Sequence, residues 1–153
     1  MSCIPTILST GRHSATDWTA DSLVGVALET TTVHSGSRAV KLTRNGTNAS
    51  TDFVSAPAPV VAGTTYRIGM WFFDDTVDAK GRLAYEWFDA SSMSLGATFT
   101  ETYTVNQPSW QELVETVAAP AGAVSVRVST RVYTDNAATG GSVILDDVTV
   151  VAQ

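Results

Sequence analysis

The chain has 153 residues, a formal net charge of −6 and 44% apolar residues. That length suits one domain with a core of its own, and the apolar share excludes a disordered chain. The acidic balance argues against nucleic acid and anionic membrane as partners, since both reward Lys and Arg, and no apolar run is long enough to span a bilayer.

Charged residues make up only 16% of the chain. The surface must therefore be covered by Thr, Ser, Asn and Gly, a mixture common on extracellular β proteins. Cys3 is the single cysteine, so no internal disulfide can form. It reads as a thiol near a frayed terminus, with a lipid-bearing cysteine as the alternative. Residues 1–16 read as an irregular N-terminal segment of one domain spanning 1–153.

From there the chain alternates like strands, with turn residues between, and shows no helical period. Val24 to Leu28 alternates, as does Val40 to Leu42, with a turn at Ser35-Gly36-Ser37 between them. Asn45-Gly46 is a hairpin signal, and Pro57 and Pro59 mark a loop after a short strand near Phe53 and Val54. In the long stretch from Tyr66 to Phe73, Tyr66, Ile68, Met70 and Phe72 point to one side and Arg67, Gly69, Trp71 and Phe73 to the other. The acidic stretch Asp74 to Gly81 reads as a solvated turn before a strand from Leu83 to Asp89. Thr98 to Thr104 forms the next strand, with Phe99 and Tyr103 on one side. Pro108 is expected to end it, and Trp110 to Val117 to follow. Pro120-Ala121-Gly122 turns the chain into Val124 to Tyr133. A small-residue loop over 134–141 leads to the last strand, Val143 to Val151. The pattern gives an all-β, antiparallel sandwich of about nine strands.

Several landmarks recur in a characteristic order: Asp17-Trp18-Thr19, His34 to Leu42, Gly63 to Tyr66 with Trp71, Phe88-Asp89-Ala90, Trp110 to Leu113, Ala119 to Ala123 and Val143 to Val148. Together they resemble the galactose-binding-domain-like carbohydrate-binding modules, the group around families four, nine and twenty-two. The resemblance covers about Trp18 to Val150. It implies a jelly roll of two antiparallel sheets, with sugar on a concave face or at the edge loops. It also implies a secreted, monomeric module fused to a catalytic domain, its partner a polysaccharide or oligosaccharide. Such modules often hold a structural Ca²⁺, and the resemblance places its ligands at Ser35, Ser37 and Asp146. Where the family has an acid before its tryptophan, this chain has Ser9-Thr10-Gly11-Arg12-His13, which carries none. Ca²⁺ wants six to eight oxygens with net negative charge. Asp146 is therefore either a metal ligand or a residue that hydrogen-bonds the turn.

Sugar binding needs flat apolar faces and planar hydrogen-bonding groups. Trp71 and Phe73, on the non-core side of their strand, supply the first. Arg127, Arg131 and Tyr133 lie opposite the core valines Val126 and Val128, and their strand is expected in the same sheet as Trp71. In Ala84 to Phe88 two registers stay open: either Glu86 or Trp87 joins that face. Trp18 and Trp110 read as structural covers of the sandwich edge. Arg127 and Arg131 could also pair with Glu86 or Asp89.

For catalysis the inventory is poor. His13 and His34 stand apart, and no nucleophile elbow, His-Glu-x-x-His or paired Cys ligands occur. A glycosidase needs two carboxylates flanking a cleft, and Glu86 and Asp89 lie on opposite sides of one strand. The sequence thus points to a non-catalytic module that targets an attached enzyme to a polysaccharide. The alternative is a structural or adhesion domain of a surface or capsid-associated protein.

Overall fold

The computed structural model describes residues 17–45, 51–133 and 141–153. The N-terminal segment with Cys3 and His13, the second half of the Asn45-Gly46 signal and most of the 134–141 loop lie outside the described residues.

Among the described residues eleven strands follow one another: β1 (Trp18–Ala20), β2 (Val24–Glu29), β3 (Ala39–Arg44), β4 (Thr51–Ser55), β5 (Ala58–Pro59), β6 (Thr65–Asp74), β7 (Lys80–Phe88), β8 (Ser94–Tyr103), β9 (Gln107–Ala118), β10 (Ser125–Tyr133) and β11 (Ser142–Ala152). They form two antiparallel sheets. Sheet A has the order β1-β4-β10-β7-β8, with β5 pairing β10, and sheet B the order β2-β3-β11-β6-β9. The fold is the expected jelly-roll sandwich. The nine expected strands are present; β1 and β5 add to them, both too short to show alternation.

Alternation sets the core. Ile68, Met70 and Phe72 from β6, Leu83 from β7, Val126, Val128 and Val132 from β10, and Leu145 from β11 are fully buried between the sheets. Burying an aliphatic or aromatic side chain of this kind contributes roughly 1.5–3 kcal/mol. The turn at Pro120 closes by a hydrogen bond from the Ala123 N–H to the Pro120 carbonyl. Gly122 sits there at φ 85°, the third position of a turn that needs a positive φ.

Three expectations need correction. Pro108 lies within β9 rather than ending a strand. β9 is an edge strand of sheet B, and its register with β6 is irregular near this end, so a residue without an N–H is tolerated. Asp74 is not part of a solvated turn: it is fully buried, and its Oδ2 accepts a 2.5 Å bond from the Thr104 hydroxyl. Finally, β6 and β10 fall in different sheets, so Trp71 and Arg131 do not share a face. Both strands alternate alike; alternation tells core from solvent, not one sheet from the other.

Candidate functional site

The outward face of sheet A is built by period-two geometry from β4, β7, β8 and β10. In β10, Val126, Val128, Thr130 and Val132 are buried, which turns Arg127, Ser129, Arg131 and Tyr133 outward. In β7 the buried Gly81, Leu83, Tyr85 and Trp87 turn Lys80, Arg82 and Glu86 outward. Strand pairing then sets Arg131 opposite Arg82 and Arg127 opposite Glu86. It also sets Asp52 of β4 opposite Arg131, and Tyr103 of β8 opposite Arg82.

These side chains hold one another in place. Arg131 meets Asp52 as a two-pronged pair, Nε to Oδ1 at 2.5 Å and Nη2 to Oδ2 at 2.9 Å. This hydrogen-bonded carboxylate raises the Arg131 pKa further above its usual value. The Arg131 guanidinium also lies over the Phe99 ring, 4.3 Å from its centre. Arg82 donates to the Thr100 carbonyl, to the Phe99 carbonyl at 3.0 Å, and to the hydroxyls of Tyr103 at 3.0 Å and Tyr133 at 3.3 Å. The two tyrosine rings meet edge to face at 5.3 Å. Phe99 remains 37% exposed. Further along, Arg127 covers the Phe88 ring at 4.8 Å rather than pairing with Glu86. Beside it opens a pocket of about 420 Å³ lined by Asp17, Thr19, Val54, Pro57 and Arg127 among others. The result is a strip of aromatic rings and planar donors.

The outward face of sheet B holds Trp71 and Phe73, and it is covered from within the chain. The His34 ring stacks on Trp71 at 4.0 Å with 17° between planes, and meets Trp110 edge-on at 5.3 Å. Trp110 in turn packs edge-on against Phe73 at 5.7 Å. Beyond Gly69, Arg67 and Glu112 form a 2.5 Å ion pair. Trp71 is half-buried by these partners.

What places His34 is Asp146. Its carboxylate accepts the N–H groups of His34 at 2.9 Å, Ser35 at 3.2 Å and Asp147 at 2.8 Å. Asp147, at φ 44° in the bulge of β11, accepts the Ser35 hydroxyl at 2.7 Å and lies 2.7 Å from His34 Nδ1. Gly36 at φ 68° lets the turn fold over the sheet. Three N–H donors thus occupy the Asp146 oxygens, and Ser37 is exposed. Among the described residues, no group of three His, Cys, Asp or Glu side chains is arranged to hold a metal. Through these N–H partners Asp146 ties down the turn.

The structure therefore divides the sequence-derived candidates. Glu86, Arg127, Arg131 and Tyr133 share the face of sheet A. Trp71 and Phe73 lie on sheet B. Trp87 takes the inward register and is a core residue, 5% exposed, beside Tyr66 and Tyr85. Asp52, Arg82, Phe99 and Tyr103 complete the sheet A strip, and the sequence reading passed over them. The signal was present: Gly81, Leu83, Tyr85 and Trp87 alternate inward, and Phe99 and Tyr103 were already on one side.

The sandwich shares its fold with β-sandwich carbohydrate-binding modules. No family model matches the chain, and no curated protein sequence does. Among solved structures, the C-terminal family 22 carbohydrate-binding module of Clostridium thermocellum Xyn10B matches 91% of this chain and 88% of its own at 18% identity, with a TM-score of 0.65. A family 22 xylan-binding domain from Paenibacillus barcinonensis Xyn10C covers 90% and 86% at 14% identity, TM-score 0.63. The enzymatically active domain of tailspike protein 4 from bacteriophage CBA120 matches 90% of this chain at 12% identity, TM-score 0.72. The chain spans only 20% of that tailspike domain.

Proposed function

We propose that the chain is a non-catalytic carbohydrate-binding module whose glycan lies along the outward face of sheet A. The observation that carries this reading is the open strip of Phe99, Tyr103 and Tyr133, with Arg82 and Arg131 fixed among them. Aromatic rings offer flat surfaces to sugar C–H groups, and pre-oriented planar donors meet hydroxyls at little entropic cost. The carboxylates on the strip do not form an acid–nucleophile pair. Asp52 is held in two prongs by Arg131, and Glu86 lies along β7 towards Arg127. Fusion to a secreted enzyme, with the module delivering it to a polysaccharide, accords with the neighbour in which a family 22 module and a glycoside hydrolase module share a chain. The tailspike neighbour favours a second setting for the same activity, a module of a phage or surface protein.

Affinity electrophoresis against a panel of soluble polysaccharides tests the reading. The variant with Tyr103→Ala and Tyr133→Ala together should lose at least about tenfold in affinity, the loss expected when central aromatic anchors are removed. Undiminished affinity in a folded double variant would overturn the placement of the site.

A further inference from the structure

Resting on that placement of the site, we infer that its ligand is an acidic glycan, with an anionic group seated between Tyr103, Tyr133 and Arg131. The first reason is how hydrogen-bonding capacity is spent. Arg82 donates to both tyrosine hydroxyls. Each phenolic oxygen therefore acts as an acceptor towards a guanidinium, which leaves its own proton to point elsewhere. Neither hydroxyl donates to any acceptor among the described residues. The centre of the strip thus presents two O–H donors, each backed by a cation.

The second reason is the charge arrangement. Arg82 and Arg131 are direct cross-strand partners, and like charges so placed oppose one another at roughly 5 Å between Cβ atoms. Their guanidinium groups share the Phe99 ring, at 5.4 Å and 4.3 Å from its centre. Of the two, Arg131 has a carboxylate partner, Asp52, whereas among the described residues the acceptors of Arg82 are neutral: two carbonyls and two phenols. A neutral sugar hydroxyl gives and takes hydrogen bonds evenly and does nothing for this repulsion. A carboxylate or sulfate brings acceptor oxygens only, uses both phenolic protons, and places a negative charge where two positive ones face each other. The chain as a whole carries −6, so a polyanion meets net repulsion from the molecule and needs a local cluster of cations such as this one to bind.

The test compares uronic-acid polysaccharides, such as polygalacturonate, alginate and glucuronoxylan, each with its carboxyl-reduced counterpart. Sulfated glycans form a third arm that separates carboxylate from sulfate. Binding should favour an acidic polymer by about tenfold or more over its reduced form, as expected for one or two charge-assisted bonds. The preference should shrink as salt is raised, and should shrink severalfold in the Tyr103→Phe, Tyr133→Phe double variant, which keeps both rings and both arginines and removes both protons; an unchanged preference would overturn the role of the hydroxyls. If a reduced polymer binds as tightly as its parent, this inference falls while the glycan site stands. If no glycan binds at all, both fall together.

Discussion

The two outward faces of the sandwich carry similar residues and end in opposite states. On sheet B, Trp71 and Phe73 are met by side chains of the same molecule: His34 stacks on Trp71, Trp110 packs against Phe73, and Glu112 binds Arg67. On sheet A, Arg131 lies over Phe99, Lys80 over Tyr103, and Arg82 bonds both tyrosine hydroxyls, while among the described residues no loop packs on these rings. An aromatic facing away from the core is therefore not by itself a ligand platform. What decides is whether a loop of the same chain has already taken the ring, and on sheet B the Asp146 carboxylate pulls that loop into place.

The largest expected effect lies at that anchor. Asp146→Ala leaves three N–H groups without their acceptor and should destabilise the domain by about 3 kcal/mol, at roughly 1 kcal/mol for each orphaned donor. Glycan affinity at sheet A should not change. Thermal and urea unfolding report the first, titration the second. Addition of a chelator should leave the melting temperature where it was, because three N–H groups already hold this carboxylate; a marked drop would speak for a bound metal. The same residue has a pH signature. Burial raises its pKa above the ordinary carboxylate value, against the pull of its N–H partners. The folded state then keeps this proton to higher pH than the unfolded chain does. The group's contribution is full below its unfolded pKa and is lost as pH rises through its folded one. Wild type should accordingly lose stability relative to Asp146→Asn as pH climbs above the ordinary carboxylate range. A difference of the opposite sign would contradict the assignment.

Trp71→Ala sharpens the contrast further. Removing a half-buried ring stacked on His34 should cost about 2 kcal/mol, less than a fully buried tryptophan and more than a solvated one. Affinity should stay at the wild-type value. A folded Trp71→Ala variant that no longer binds glycan would move the site to sheet B. Smallest is Asp52→Asn. Its partner Arg131 is partly exposed, so the lost pair should cost about 1 kcal/mol or less. Affinity for an acidic glycan should hold or rise as a competing carboxylate disappears; a large fall would show that Asp52 itself contacts the sugar.

Much of this was legible in the residues. Alternation in Tyr66 to Phe73 and in Ser125 to Tyr133 gave the core and the outward side chains correctly, and Pro120-Ala121-Gly122 announced its turn. Two things were not legible. Sheet membership depends on which strands pair over long distances, and Trp71 and Arg131 alternate identically whether they share a sheet or not. The cover on Trp71 comes from His34, which no local pattern connects to it; the link runs through Asp146, near the other end of the chain. Trp87 was ambiguous for a related reason: β7 carries aromatics in both registers, at Tyr85 and Trp87 inward and at Phe88 outward.

Nuclear magnetic resonance of the labelled domain, titrated with the best-binding oligosaccharide, tests the central claim most directly. The account predicts that the amide and side-chain signals that move belong to Phe99, Tyr103, Arg131 and Tyr133, while the indole signals of Trp71 and Trp110 stay fixed. Shifts centred on Trp71, Trp110 and His34, with the sheet A strip silent, would contradict it.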